Sequence, residues 1–229
     1  MKAPCLLCGG KTNLLHHPGV RADYHVCEQC DFIFKEAADI INSDEELRIY
    51  NCHQNSIHDP RYVAYFERFL KDAVFPHMNY GRNGLDFGSG PSPVLAQLLE
   101  RDHGYNMDVY DLFYAPEKVY VGKRYDLITS TEVVEHMRDP MEYFQLFRTL
   151  LKPDGILAVM TLFHRNDTNH FLNWHYVRDR SHISFYTPKT MQYMAEKTGL
   201  KMIHTNLERY TTFMLDETWQ KKPESNQKP

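Results

Sequence analysis

Three observations predict an α/β protein with a doubly wound, mostly parallel sheet and a small cysteine-bearing module at its N-terminus. Short apolar runs alternate with amphipathic helical stretches from residue 81 onward. The turn Gly88-Ser89-Gly90 joins the first of these runs to a helix. Four of the five cysteines, Cys5, Cys8, Cys27 and Cys30, fall within the first thirty of 229 residues. That length holds one full α/β domain and a small appendage. A hydrophobic share of 42% and a charged share of 24% exclude wholesale disorder. The net charge of −4 provides no global field for nucleic acid. The longest apolar stretch, residues 156–163, is far shorter than the roughly 20 residues that span a bilayer. The first residues run into the cysteine motif without an apolar signal core, so a cytoplasmic protein with reduced thiols is expected.

The elements follow in order. Ser43-Asp44-Glu45-Glu46 has capping-box spacing and predicts a helix running towards Tyr50. From Asp59-Pro60, the residues Tyr62, Val63, Phe66, Phe69, Leu70, Ala73 and Val74 recur at helical spacing until Pro76, a stripe that reads as core. These helices make 41–80 a helical linker or lid. It separates a module over 1–40 from a domain over 81–218, and a polar tail over 219–229 is expected to be disordered. Leu85-Asp86-Phe87 opens the sheet. Ser92-Pro93 supplies an N-cap and a first-turn proline for a helix with Val94, Leu95, Leu98 and Leu99 inward and Gly104 beyond its end. Further strands are predicted at 107–110, 127–129, 156–160, 202–205 and 211–215, with helices opened by Asp139-Pro140 and Thr187-Pro188.

The glycine turn lies where doubly wound folds bind ligands, at the carboxyl edge of a parallel sheet. Asp111 ends the next strand about twenty residues on, where a carboxylate accepts from ribose hydroxyls. A Gly-x-Gly by itself is equally a structural turn. Taken in order, Leu85-Asp86-Phe87-Gly88-Ser89-Gly90, Tyr110-Asp111, Tyr125-Asp126-Leu127-Ile128, Glu132-Val133-Val134-Glu135-His136 and Leu151-Lys152-Pro153-Asp154-Gly155 resemble the successive motifs of class I S-adenosylmethionine-dependent methyltransferases. The resemblance implies a seven-stranded, Rossmann-like methyltransferase fold and S-adenosylmethionine as methyl donor. It places Asp86, Gly88, Ser89 and Gly90 at the methionine portion, Asp111 at the ribose, Leu112 and Phe113 towards the adenine, and Thr129, Ser130 and Glu132 along the cofactor beyond the fourth strand. Two departures stand out: Ser92 replaces the family's third glycine, and only residues 112–124 separate Asp111 from the fourth strand, little room for a third strand.

Cys5-Leu6-Leu7-Cys8 and Cys27-Glu28-Gln29-Cys30 are paired knuckles, a pattern that brings four thiolates around one zinc. Because protein fills every position, the site reads as structural rather than catalytic, with His16, His17 and His25 as spare ligands. Similar knuckles precede the catalytic domain in some sugar C-methyltransferases and certain ribosomal RNA methyltransferases. Cys52 reads as a small buried hydrophobe.

Residues 164–186 are dense in imidazoles and rings: His164, His170, Trp174, His175, Tyr176, His182 and Tyr186. Following the strand that ends near Thr161, this segment is expected to form the acceptor pocket. His182 is the candidate general base, with His175 second; a structural histidine bonded to a backbone carbonyl is the alternative. His136 is expected to be structural or to line the cofactor pocket rather than to transfer a proton. The chain therefore reads as a methyltransferase acting by in-line displacement on a small metabolite or sugar-linked acceptor. The alternatives are RNA methylation, with Arg165, Arg178, Arg180 and Lys189 as groove candidates, and a non-catalytic cofactor-binding interaction protein.

Overall fold

The computed structural model describes residues 3–52 and 56–219. The tail expected to be disordered lies outside them except for Trp219, whose ring sits 4.7 Å from the Arg148 guanidinium and whose Nε1 donates to the Glu196 carbonyl. Along the chain come β1 (Thr12–His17), β2 (Ala22–Cys27), β3 (Ile33–Lys35), α1 (Ser43–Tyr50), α2 (Pro60–Phe69), β4 (Asn83–Phe87), α3 (Val94–His103) and β5 (Asn106–Tyr110). There follow β6 (Tyr125–Thr131), α4 (Pro140–Leu150), β7 (Leu151–Met160), α5 (Thr168–Asn173), β8 (Ser184–Phe185), α6 (Pro188–Thr198), β9 (Leu200–Thr205) and β10 (Tyr210–Leu215).

Local chemistry sets the helix starts. Asp59, Asp139 and Thr187 each accept an amide of the first turn, and each is followed by proline. Two starts differ from expectation. Asn42 caps α1 in place of Ser43, because its side chain reaches the Glu45 amide at 2.9 Å. Ser92 does not cap α3, which begins at Val94, beyond Pro93, without a side-chain cap.

The main sheet runs β5-β4-β6-β7-β10-β9, with β4 to β7 parallel and β10 antiparallel to both neighbours. It has six strands among the described residues, not seven. Residues 111–124 fold instead into turns, with Asp111 bridged to Ala115. A parallel strand needs a crossover of a dozen or more residues on each side, and this segment is too short to supply one. Alternation along β7 covers the sheet on both faces. Leu157 and Val159 pack with Phe144, Phe147, Met191 and Met194 of α4 and α6. Ile156, Ala158 and Met160 pack with α2 and α3 through Phe66, Phe69, Leu95 and Leu98.

A second sheet, β1-β2-β3-β8, takes its last strand from the C-terminal half of the chain. Ile33 pairs with Phe185 and Phe34 with Ser184, and the Lys35 amide donates to Ile183 at 2.8 Å. Its other face packs Tyr24 and Ile33 against Phe171, Trp174, Tyr176 and Phe185. The ring-rich segment expected to be an open acceptor pocket is thus largely the layer that covers the N-terminal sheet. A four-stranded sheet with apolar residues on one face requires such a layer. Cys5, Cys27, Cys30 and Phe32 share a core with the α4 and α6 side of the domain.

Thr190 ties the two parts together. Its Oγ1 donates to the Cys30 carbonyl at 2.8 Å while completing the Thr187 capping box of α6. Thr190→Val keeps the shape and removes both interactions, so it should destabilise the protein by about 1–3 kcal/mol. Denaturant melts check this, and a loss below about 0.5 kcal/mol, the range of neutral surface changes, would refute the assignment.

Candidate functional site

The glycine turn is built by steric necessity. Gly88 has φ +87°, and a Cβ there would lie 2.2 Å from the Val133 side chain. Gly90 has φ +66°, also in the region that favours glycine, but the space above it is open to 4 Å. Its amide donates to Asp111 Oδ2 at 2.8 Å, while Asp111 Oδ1 accepts the amides of Phe113 and Tyr114 at 2.9 and 3.0 Å. Both carboxylate oxygens are therefore held in place; Oδ1 is filled by its two amides, and Oδ2, with one, keeps a lone pair for an incoming hydroxyl. Leu112 follows with 62% of its surface exposed, an apolar face beside the fixed acid.

Asp86 lies behind this turn with its Oδ1 accepting the Thr129 hydroxyl at 2.8 Å. Burial pushes its carboxyl up to about 7. Thr129 is spent on Asp86, and Ser130 is fully buried with its hydroxyl unpartnered among the described residues. Glu132, next along, adopts φ +54°, a strained backbone of the kind that clusters at functional sites. It accepts hydroxyls from Tyr65 of α2 at 2.7 Å and from Tyr176 at 2.8 Å.

The Tyr176 hydroxyl also makes a very short contact with Glu135 and lies 3.2 Å from Thr161 Oγ1. One hydrogen cannot serve two carboxylates. Complete burial, reinforced by the charge of Glu132, raises Glu135 well above the carboxylate range. Glu135 accordingly keeps its proton and donates it to Tyr176, and Tyr176 donates to Glu132. Sequence reasoning missed Tyr65, Tyr176 and Glu135 as a unit, because no spacing rule links a helix residue to rings and acids so distant in sequence.

Beside this network stands His182, buried, with Nδ1 2.8 Å from the Tyr176 carbonyl. A carbonyl only accepts, so the neutral ring carries its proton on Nδ1 and presents Nε2 as a lone pair. Burial lowers the proton affinity of His182 below its ordinary value, against the pull of Asp179, whose Oδ2 is 3.8 Å from Nε2. The rings of His136 and His182 are 4.8 Å apart, and Glu135, His136 and His182 offer ligand atoms within 4.8 Å of one another. His175 is not part of the group; it is exposed on a short turn against Trp174. His164 is buried structure, bonded to the Asp31 carbonyl and the Asn166 amide, and desolvation pushes it down to about 4. Cys52 is exposed rather than buried.

The four N-terminal cysteines converge. Sγ of Cys5 and Cys30 are 3.6 Å apart and those of Cys8 and Cys27 are 3.4 Å apart, and all four lie within 4.8 Å of one another. Four sulfurs held about 2.3 Å from one tetrahedral metal lie about 3.8 Å apart, so the donor set fits zinc. The amides of Gly10, Gln29 and Cys30 point at these sulfurs, which suits thiolates. His16, His17 and His25 are engaged elsewhere, with Asp23, with the Gly19 and Val20 amides, and with Glu36 respectively.

A sequence profile described as a methyltransferase domain matches residues 58–205. A ubiquinone biosynthesis O-methyltransferase of Dinoroseobacter shibae is 31% identical over 129 residues, covering 52% of this chain and 51% of the relative. One from Cereibacter sphaeroides is 37% identical over 79 residues, covering 34% of this chain and 31% of its own. The chain thus matches about half or less of the length of these curated relatives. A calicheamicin-biosynthesis methyltransferase solved in its SAH-bound form superposes with a TM-score of 0.52 at 12% identity, covering 76% of this chain and 58% of the other. An O-methyltransferase family protein from Burkholderia thailandensis gives 0.51 at 14% identity, covering 71% and 62%. Both likenesses are of fold. No helix among the described residues is long and apolar enough to cross a membrane.

Asp86 allows a direct test of this electrostatics. Its carboxyl titrates near 7 in the fold against 3.8 otherwise, so the proton is bound more tightly when folded. The stability from this group is full below pH 3.8 and is lost as pH rises through about 7. Asp86→Asn does not titrate, and its melting temperature should gain on the native protein between pH 5 and pH 8. An unchanged difference across that range would contradict the buried-acid account.

Proposed function

The chain belongs to the methyltransferase-domain family, and on that premise we propose that it transfers the methyl group of S-adenosylmethionine to a hydroxyl oxygen of a small molecule. The names of the curated relatives, O-methyltransferases, support oxygen as the acceptor atom. When bound, S-adenosylmethionine supplies a methyl carbon activated by a positively charged sulfur. The residues present fit it: the turn Gly88-Ser89-Gly90, with open space above Gly90, suits the methionine end, the fixed Asp111 carboxylate suits the ribose, and exposed Leu112 suits the adenine ring. Thr129 and Ser130 lie behind this surface, and Glu132 borders it.

His182 carries the reading of the acceptor side, because its Nδ1 is fixed on a carbonyl and its Nε2 is left to accept. The acceptor oxygen bonds to the methyl carbon, the carbon–sulfur pair leaves with sulfur, and the hydroxyl proton passes to Nε2. Holding the acceptor in line contributes more than the base does: about 7–11 kcal/mol in ideal cases for orientation, against about 10²–10⁴-fold for the base.

The experiment is a binding and rate pair on the full chain. S-adenosylhomocysteine should bind in a calorimeter, and Asp111→Ala should weaken it at least about tenfold, the loss of one charge-assisted contact. In a labelled-methyl assay over metabolite pools, His182→Ala should keep cofactor affinity and lose about 10²-fold in rate. The native rate should hold from alkaline pH down to the ordinary imidazole value and fall only below it, because burial favours the neutral ring. Failure to bind S-adenosylhomocysteine would refute the cofactor; full activity of the stable His182 variant would refute the base.

The four cysteines are proposed to hold one structural zinc, supported by their convergence. Elemental analysis should give about one zinc per chain, as a closed four-thiolate site requires. Its removal should speed amide exchange at Phe185, which pairs with β3. Metal-free protein with unchanged exchange would refute the site.

A further inference from the structure

Beside the loop that carries His182 lies a polar cavity of about 400 Å³, lined by Arg21, Lys35, Asp39, Glu45 and Arg180 together with the chain between β3 and α1. We infer that this cavity holds a carboxylate or phosphate group of the methyl acceptor, gripped by Lys35 and Arg21; the inference rests on the methyltransferase reading above.

The carboxylates of the cavity are already engaged. Glu45 pairs with Arg180, and Asp39 Oδ2 accepts the Asp23 amide at 2.7 Å. The cations are not balanced to the same degree. Among the described residues neither Lys35 nor Arg21 forms an ion pair. Lys35, the last residue of β3, is 5% exposed, and its Nζ makes one hydrogen bond, to the Arg180 carbonyl at 2.7 Å. An ammonium carries three donors. A buried cation short of partners is costly, and an incoming anion relieves that cost directly. Desolvation lowers Lys35 to about 8 although Asp179 and Asp39 pull the other way, and its Nζ lies 5.9 Å from the Tyr24 ring centroid, so no carboxylate within contact distance among the described residues neutralises it.

Place and chemistry agree. Lys35 holds the Arg180 carbonyl by its side chain and the Ile183 carbonyl by its amide, so it grips both sides of His182. An anion on Lys35 would sit one loop turn from the imidazole. An acceptor with an anionic group at one end and a hydroxyl at the other would therefore be read at both ends. Arg21 closes the cavity from the turn between β1 and β2, where it is exposed and free to follow the ligand.

The test uses the full chain saturated with S-adenosylhomocysteine and titrated with 4-hydroxybenzoate, 4-hydroxyphenyl phosphate and phenol. At least one anionic phenol should bind about tenfold or more tighter than phenol, the value of one charge-assisted hydrogen bond. Whichever anion binds tighter identifies carboxylate or phosphate as the group recognised. Lys35→Met should reduce that preference about threefold or more while S-adenosylhomocysteine affinity stays unchanged, and Arg21→Gln, at an exposed position, should do the same if the first variant does not fold. Equal binding of phenol, no binding of either anion, or a preference that the folded variants retain would each overturn the inference. Failure of the native chain to bind S-adenosylhomocysteine would overturn instead the reading on which it rests.

Discussion

The loop that carries His182, the proposed acceptor side, depends on two backbone pairs, Ile33 with Phe185 and Phe34 with Ser184. A two-residue strand has no stability of its own. β8 exists because β3 offers it an edge, and because the opposite side of the same loop is strapped to the turn after β6. There Ile183 donates to the Glu135 carbonyl, Ser184 to Met137 and Tyr186 to Val134. His182 sits inside this double clamp. Its orientation is therefore inherited from β3, and the position of β3 from the knuckle at Cys27 and Cys30 just before it. The cysteine cluster, distant from the glycine turn in sequence, acts on the reaction side through ordinary strand pairing.

The same clamp explains why two carboxyl groups tolerate each other so close together. Glu132 and Glu135 share the Tyr176 hydroxyl, and two ionised acids there would repel strongly in a medium of low polarity. Keeping Glu135 protonated turns a repulsion into a chain of donated hydrogens that runs from Glu135 through Tyr176 to Glu132. Tyr65 adds a second donor from α2. The segment expected as a lid thus contributes a hydroxyl to the site itself, and the Tyr176 carbonyl in turn fixes His182.

Much of this was legible in the sequence, and what was not has physical causes. Caps with proline behind them placed α2, α4 and α6, since such signals act within one turn of chain. Gly88 and Gly90 announced the turn because only glycine suits their backbone there. Most of residues 164–186 form a covering layer, which was not legible because a pattern of rings and imidazoles does not say what it faces. Their partner, the N-terminal sheet, is visible only in three dimensions, and it converts His164 and Trp174 from pocket lining into core. Asn42 displaced Ser43 as a cap for the same local reason that makes both acceptable: either side chain accepts an amide, and geometry chooses.

The absent third strand shapes the cofactor side in a way that composition could not indicate. With residues 111–124 folded into turns, Asp111 closes on Ala115 and the chain leaves Leu112 bare where a further strand and its acid would otherwise stand. The N-terminal helix fills part of that space. Tyr50 at the end of α1 packs against Phe113 at 5.6 Å and against His136 at 5.3 Å, and the neighbouring Asn51 accepts the Tyr114 hydroxyl. α1 therefore touches the turn after β5, where Asp111 stands, and the turn after β6, where His136 stands. A short connection that loses one strand gains a helix as its wall, and that wall also borders the cavity beside Lys35 through Asn42 and Glu45. One eight-residue helix consequently reaches the turn that holds Asp111, the turn that holds His136 and the cavity beside Lys35, so any shift of α1 must alter the proposed donor and acceptor sides together.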